Sequence, residues 1–160
     1  MNEHLLLRLA VTKDIDRLNE IANHPEVLAR IGDGRPVDFR ISPPTMLTFI
    51  SPLGAIFYIP HGKGWEFHTT FLPEGNGTHA VKCLKSTINT MFDKFGASVL
   101  VTYSADDYPS IRPPKSFGFK ETGYKADYIR GVGAKLWTLK KEDYYAYRST
   151  SSRRRRNNRK

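Results

Sequence analysis

The apolar residues of this chain change their spacing part-way along. From Trp65 to Phe71, Trp65, Phe67, Thr69 and Phe71 alternate with Glu66, His68 and Thr70. That period of two predicts a strand with one face in a core and the other toward a cleft or solvent. From Val81 the spacing becomes three and four: Val81, Leu84, Ile88, Met91, Phe92 and Phe95 form one stripe, with Lys82, Lys85, Ser86, Asn89 and Asp93 opposite. This is an amphipathic helix. Between the two, Pro73 ends the strand, Gly75 and Gly77 let the backbone approach a ligand, Asn76 or Thr78 can cap the helix, and Gly96 closes it.

The same reading predicts the remaining elements. Leu5 to Ala10 reads as a strand, and Thr12 caps a helix that carries Asp14 and Asp16 in its first turn and Ile15, Leu18, Ile21 and Ala22 on its buried face. A short helix starts at Pro25, and residues 32–44 are loop-like. Met46 to Ile50 fits either a strand or a helical turn. Gly54 to Ile59 is a strand that a turn at Pro60 to Gly64 returns into the Trp65 strand as a hairpin. Ser98 to Tyr103 is a continuous β-rich run, Lys120 to Arg130 and Lys135 to Leu139 are two final strands, and Tyr144, Tyr145 and Tyr147 pack after them. The order predicts an α/β fold, one mixed sheet with helices on both faces.

Composition agrees with a single folded unit. The chain has 160 residues, 39% of them hydrophobic and 12% aromatic, enough for one core. No apolar run reaches the length of a membrane span, and the first residues lack a signal-peptide pattern, so a cytoplasmic protein is expected. The lone Cys83 makes no internal disulfide and suits a reducing compartment; with no histidine beside it in sequence, it reads as an inert thiol.

Charge divides the chain. Seven of the 25 basic residues and none of the 16 acidic ones fall in residues 148–160, which leaves 18 against 16 in residues 1–147. Although the total is +9, the body is close to neutral. Residues 1–147 are expected to form the domain. Residues 148–160, with Arg153, Arg154, Arg155 and Arg156, are expected to be a disordered tail able to meet nucleic acid or another polyanion. No sequence-reading motif for nucleic acid is present.

The strand, glycine turn and helix carry the candidate chemistry. A helix N-terminus offers free backbone N–H groups and the positive end of a dipole to a phosphate, although a glycine turn serves equally as a plain connection. Glu66 and His68 share one strand face and are the candidate bases, while Tyr103 and Tyr108 are the candidate acids. His4, His24 and His61 are scattered without metal-ligand spacing, and no metal is expected.

The opening LRLAVTKDIDRLNEIANHPEV, the strand with PEGNGTHA and its helix, and SFGFKETG followed by KLWTLKKEDY together resemble the GNAT superfamily of N-acetyltransferases, up to about Tyr147. The resemblance implies that Phe71, Leu72, Gly75, Asn76, Gly77, Thr78 and His79 bind acetyl-CoA, and that an amine acceptor attacks its thioester directly. A backbone N–H near Phe71 would polarise the carbonyl. The opening also resembles small acetyltransferase-like proteins of tailed phages, which implies a second reading: a catalytically degenerate head-assembly or virion-associated protein. Three residues depart from the family pattern. Glu74 stands where Arg or Gln is usual, His79 where Gly or Ala is usual, and Pro114 where a tyrosine would protonate the thiolate.

Overall fold

The alternating segments pair edge to edge into one sheet. The computed structural model describes residues 7–30, 34–41, 46–107 and 116–157. Its strands are β1 (Arg8–Leu9), β2 (Leu47–Ser51), β3 (Gly54–His61), β4 (Gly64–Phe71), β5 (Val99–Ala105), β6 (Lys120–Ile129) and β7 (Val132–Lys140). Its helices are α1 (Ile15–Ala22), α2 (Pro25–Leu28), α3 (Thr78–Asp93) and α4 (Lys141–Asn157). The strands lie in the order β1-β2-β3-β4-β5-β7-β6. Every neighbouring pair is antiparallel except β4 with β5. None of the described helices is long and apolar enough to cross a membrane.

Most predicted elements stand, and the exceptions have local causes. Met46 to Ile50 resolves as β2. The hairpin turn is only Gly62-Lys63, because β3 continues through Pro60 to a His61–Gly64 pair. Pro60 sits in a non-hydrogen-bonded pair with Trp65, where its missing N–H costs the β3–β4 ladder nothing. Thr12 does not cap α1. It opens a single 3-10 turn, Thr12–Asp14, and the Asp14 carboxylate instead accepts from the N–H of Val11 at 2.8 Å and from Arg8 in two bonds of 2.6 Å. Nor does a side chain of Asn76 or Thr78 cap α3, whose first residue follows Gly77 with no side-chain cap bond.

The core lies mainly under α3. Leu84, Ile88, Met91 and Phe92 bury the predicted stripe against Tyr58, Phe67, Leu100, Trp137 and Leu139. Phe95, at the stripe's end, is exposed beyond the helix but meets Phe49 edge-on. The few polar groups in this layer are paired: Tyr58 Oη lies 2.8 Å from Thr87 Oγ1, and Trp137 Nε1 donates to Ser104 Oγ at 2.8 Å.

Helix α4 continues past Tyr147. Lys141 donates to the carbonyl of Phe92 at the end of α3, and Tyr144 Oη donates to Asn89 Oδ1 at 2.7 Å. Arg148 lies over the rings of Tyr144 and Tyr145, 5.7 and 5.8 Å from their centroids, and donates to Asn89 as well. Once that docked turn exists, extending the helix costs little, and arginine is a good helix former. The helix runs to Asn157. Arg154 is exposed, while the side chains of Arg153, Arg155 and Arg156 lie outside the described residues.

Candidate active site

Two rungs join β4 to β5, Trp65 with Leu100 and Glu66 with Val101. Thr102 Oγ1 then donates to the carbonyl of Phe67 at 3.0 Å, and beyond that point the strands separate. The β3–β4 register fixes what the gap receives. Leu72 N–H donates to the Leu53 carbonyl at 2.8 Å, so Gly54 and Phe71 form a non-hydrogen-bonded pair. Alternation then turns the backbone groups of Phe67, Thr69 and Phe71 away from β3 and toward β5. Those of Thr69 and Phe71 face the gap. Leu72 cannot serve it through its own N–H, which Leu53 holds.

The gap opens into a cleft of about 570 Å³ that passes through the sheet. On one side it meets the start of α3, where the first intrahelical bond is from Val81 N–H to the Gly77 carbonyl. The N–H groups of Thr78, His79 and Ala80 therefore point out of the helix end. On the other side the cleft is walled by Phe39, Phe57, Tyr103 and Tyr128. Phe39 is held there by two asparagines of the α1 region. Asn19 Oδ1 accepts from Phe39 N–H at 2.9 Å, and Asn23 exchanges two 2.7 Å bonds with the backbone of Val37.

The two glycines of the turn do different work, which the sequence did not separate. A Cβ on Gly75 would lie 2.8 Å from both Cβ and the carbonyl oxygen of Leu53, so this glycine lets the turn pack closely on Leu53. Gly77 has open space around it and φ of +79°, a conformation L-residues avoid. It alone serves the open side. The ring of His79 turns inward, with Nε2 3.1 Å from Ser51 Oγ and 3.5 Å from Cys83 Sγ, edge-on to Phe71. The ring of this departure from the family pattern is therefore turned toward β2 and Phe71. Burial pushes the Cys83 thiol up, consistent with an inert role.

Glu66 and His68 are brought together as one unit. His68 Nε2 lies 2.9 Å from Glu66 Oε1, and His61 Nδ1 lies 3.3 Å from Glu66 Oε2. Glu66 is the least exposed of the three, and His68 is the member that lines the cleft. Tyr103 stacks on Tyr128, with centroids 4.6 Å apart. Burial, then the Glu66 carboxylate and Tyr103, push the Tyr128 hydroxyl up to about 12. Tyr108 and Pro114 lie outside the described residues. Among the described residues, no group of three or more His, Cys, Asp or Glu side chains could hold a metal ion.

Solved structures share this fold. An acetyltransferase of the GNAT family from Bacillus anthracis superposes with a TM-score of 0.70 at 18% identity, over 85% of this chain and 94% of its own. The fold is that of the GNAT acetyltransferases. Two further GNAT-fold neighbours are similar. The acetyltransferase-like yncA of Salmonella typhimurium, solved with its cofactor acetyl-CoA, gives 0.67 at 19% identity over 84% of this chain and 92% of its own. A mutant form of the spermidine/spermine N-acetyltransferase SpeG of Vibrio cholerae gives 0.71 at 15% identity over 88% and 95%. No family model and no curated sequence matches the chain.

Within the GNAT fold, three cleft residues escaped sequence reasoning. Tyr128 falls beside a register shift in β6 between Lys125 and Ile129, and such irregularities re-aim side chains. Arg30 and Arg130 line the same wall. A signal existed for Arg130: an Arg-Gly pair between two strand patterns, where Asn-Gly is the usual tight-turn choice.

Proposed function

We propose that the protein transfers an acetyl group from acetyl-CoA to an amine. The observation that carries this reading is the parting of β4 and β5 after Glu66 and Val101. It leaves the backbone groups of Thr69 and Phe71 to pair with an amide-rich arm, with the N–H groups of Thr78, His79 and Ala80 at one end for a diphosphate. The neighbour yncA, solved with acetyl-CoA, supports the choice of cosubstrate.

In this reading an ammonium acceptor gives a proton to the His68 imidazole, and Glu66 stabilises the imidazolium that results. The neutral nitrogen attacks the thioester carbonyl, while the Phe71 N–H stabilises the oxyanion. The carbon–sulfur bond breaks as the carbon–nitrogen bond is completed, the acylated nitrogen gives up its second proton, the thiolate takes one, and His68 returns its proton to solvent. Among the described residues, Tyr103 and Tyr128 are the phenols lining the cleft, and Tyr128 stays neutral at physiological pH and can donate.

Calorimetric titration of acetyl-CoA into the full chain tests the reading, with Ala80→Glu as its control. Ala80 is the third residue of α3, where glutamate favours the helix while its charge repels a diphosphate. Micromolar binding that the variant loses is the expected result. No heat at millimolar ligand would overturn the reading and leave the body as a non-catalytic assembly protein.

A further inference from the structure

Helix α3 begins without the local devices that usually fix a helix start. No side-chain cap bond precedes it, and no acidic residue stands in its first turn. A cap side chain would spend itself on the N–H of the second or third helical residue, here His79 or Ala80. Leaving those groups open keeps them for a ligand, but an uncapped end frays. Something else has to hold the turn.

The β2–β3 hairpin holds it from both sides of Gly77. Ser51 and Gly54 pair across the hairpin turn. Ahead of Gly77, the Leu72 N–H donates to the Leu53 carbonyl at 2.8 Å, and Gly75 packs on Leu53 too closely for a Cβ. Behind Gly77, the His79 ring reaches back to the same hairpin, with Nε2 3.1 Å from Ser51 Oγ. Ser51 Oγ in turn donates to the Gly54 carbonyl at 3.2 Å. Ser51 is buried, so this polar contact forms in a low-dielectric setting that strengthens it. Cys83, one helical turn on, places Sγ 3.5 Å from the same nitrogen, and Phe71 meets the ring edge-on.

Resting on the acetyl-transfer reading, we propose that His79 is a positioning residue for the cosubstrate. Its ring ties the first turn of α3 to Ser51, so that the N–H groups of Thr78, His79 and Ala80 are already aimed when a diphosphate arrives. Order present before binding is order that the ligand need not impose. The histidine thus replaces a cap without occupying any N–H that the ligand uses. On the opposing view the ring merely fills space, and alanine, a better helix former, would serve as well or better.

Calorimetry with acetyl-CoA on the full chain separates the two, applied to His79→Ala, Ser51→Ala, their double variant and His79→Gln. Asp14→Asn, at the β1–α1 edge, is the control for a general loss of stability. His79→Ala is expected to weaken binding about tenfold, Ser51→Ala by a similar factor, and the pair together no further, as for two halves of one contact. His79→Gln, whose amide can still meet Ser51, is expected to retain most of the affinity, and Asp14→Asn all of it. Binding unchanged or tighter in His79→Ala, losses that add in the double variant, a glutamine no better than alanine, or an equal loss in Asp14→Asn would overturn the inference. Should His79→Ala not fold, Ser51→Ala, which removes a single hydroxyl, and His79→Gln decide it by the same criteria. If the parent chain itself fails to bind acetyl-CoA, the acetyl-transfer reading falls first and takes this inference with it.

Discussion

On the face of the sheet under α3 and α4, Tyr58, Ile88, Met91, Phe92, Leu100, Leu139 and Tyr144 are buried almost completely, and the hydroxyls of Tyr58 and Tyr144 are paired. On the face under α1, the buried apolar cluster among the described residues is smaller, Leu18, Ile50, Ala55 and Phe57, and the strands there also carry Glu66, with His68 and Tyr103 lining open volume. The same β4 strand feeds both faces, through Phe67 and Phe71 on one and Glu66 and His68 on the other. One face supplies the rigidity, and the other spends it on holding polar groups in fixed positions near a void. That division is what a site on a rigid scaffold requires.

Breaking the filled face is expected to have the largest effect. Phe92→Ala removes a ring with no exposed surface that packs on Tyr144 and Tyr145. Denaturant unfolding is expected to show a loss of about 3–5 kcal/mol, the usual cost of emptying such a site. A loss below about 1 kcal/mol would mean that the face is not the rigid floor it looks.

The open face is expected to answer in the opposite currency. His68→Ala lowers kcat by about a hundredfold in the acetyl-transfer assay, the scale of a lost general base, while the unfolding midpoint stays near that of the parent. Equal damage to stability and rate would assign His68 to the scaffold rather than to the chemistry.

The smallest effect belongs to the edge, and it depends on pH. Arg8, by its hydrogen bonds to the buried Asp14, holds that carboxyl down to about 2, below its ordinary 3.8. The folded value lies below the unfolded one, so the contribution is complete above pH 4 and is lost as pH falls toward 2. Asp14→Asn is expected to lower Tm by a few degrees near neutral pH, with the difference closing at the acid end of a thermal-melt series. A difference that persists there would assign the effect to packing instead.

The strand and helix around the Gly75-Gly77 turn were legible because each obeys a local period. Their consequences were legible only in part. Glu66 and His68 could be placed on one face from i and i+2 spacing, but their contact, and that of His61 across the hairpin, depends on rotamers that neighbouring strands select. Gly75 and Gly77 look alike in sequence and differ only in what stands opposite, Leu53 for one and open space for the other. The parting of β4 from β5 is a matter of register between segments more than 30 residues apart, so no local pattern encodes it. The start of α4 was not legible in composition, because three docked side chains, Lys141, Tyr144 and Arg148, supply the nucleus that composition cannot show.

The two rungs between β4 and β5 have a mechanical meaning as well. Strands β1 to β4 are joined in sequence order by antiparallel pairs, and β5 to β7 form a second local group. The sheet is thus a four-stranded and a three-stranded piece sharing a short seam, with α3 as the tether across it. A molecule lodged in the gap would act as the missing stitches of that seam, and its occupancy would register as a concentration-dependent rise in melting temperature before any product is sought.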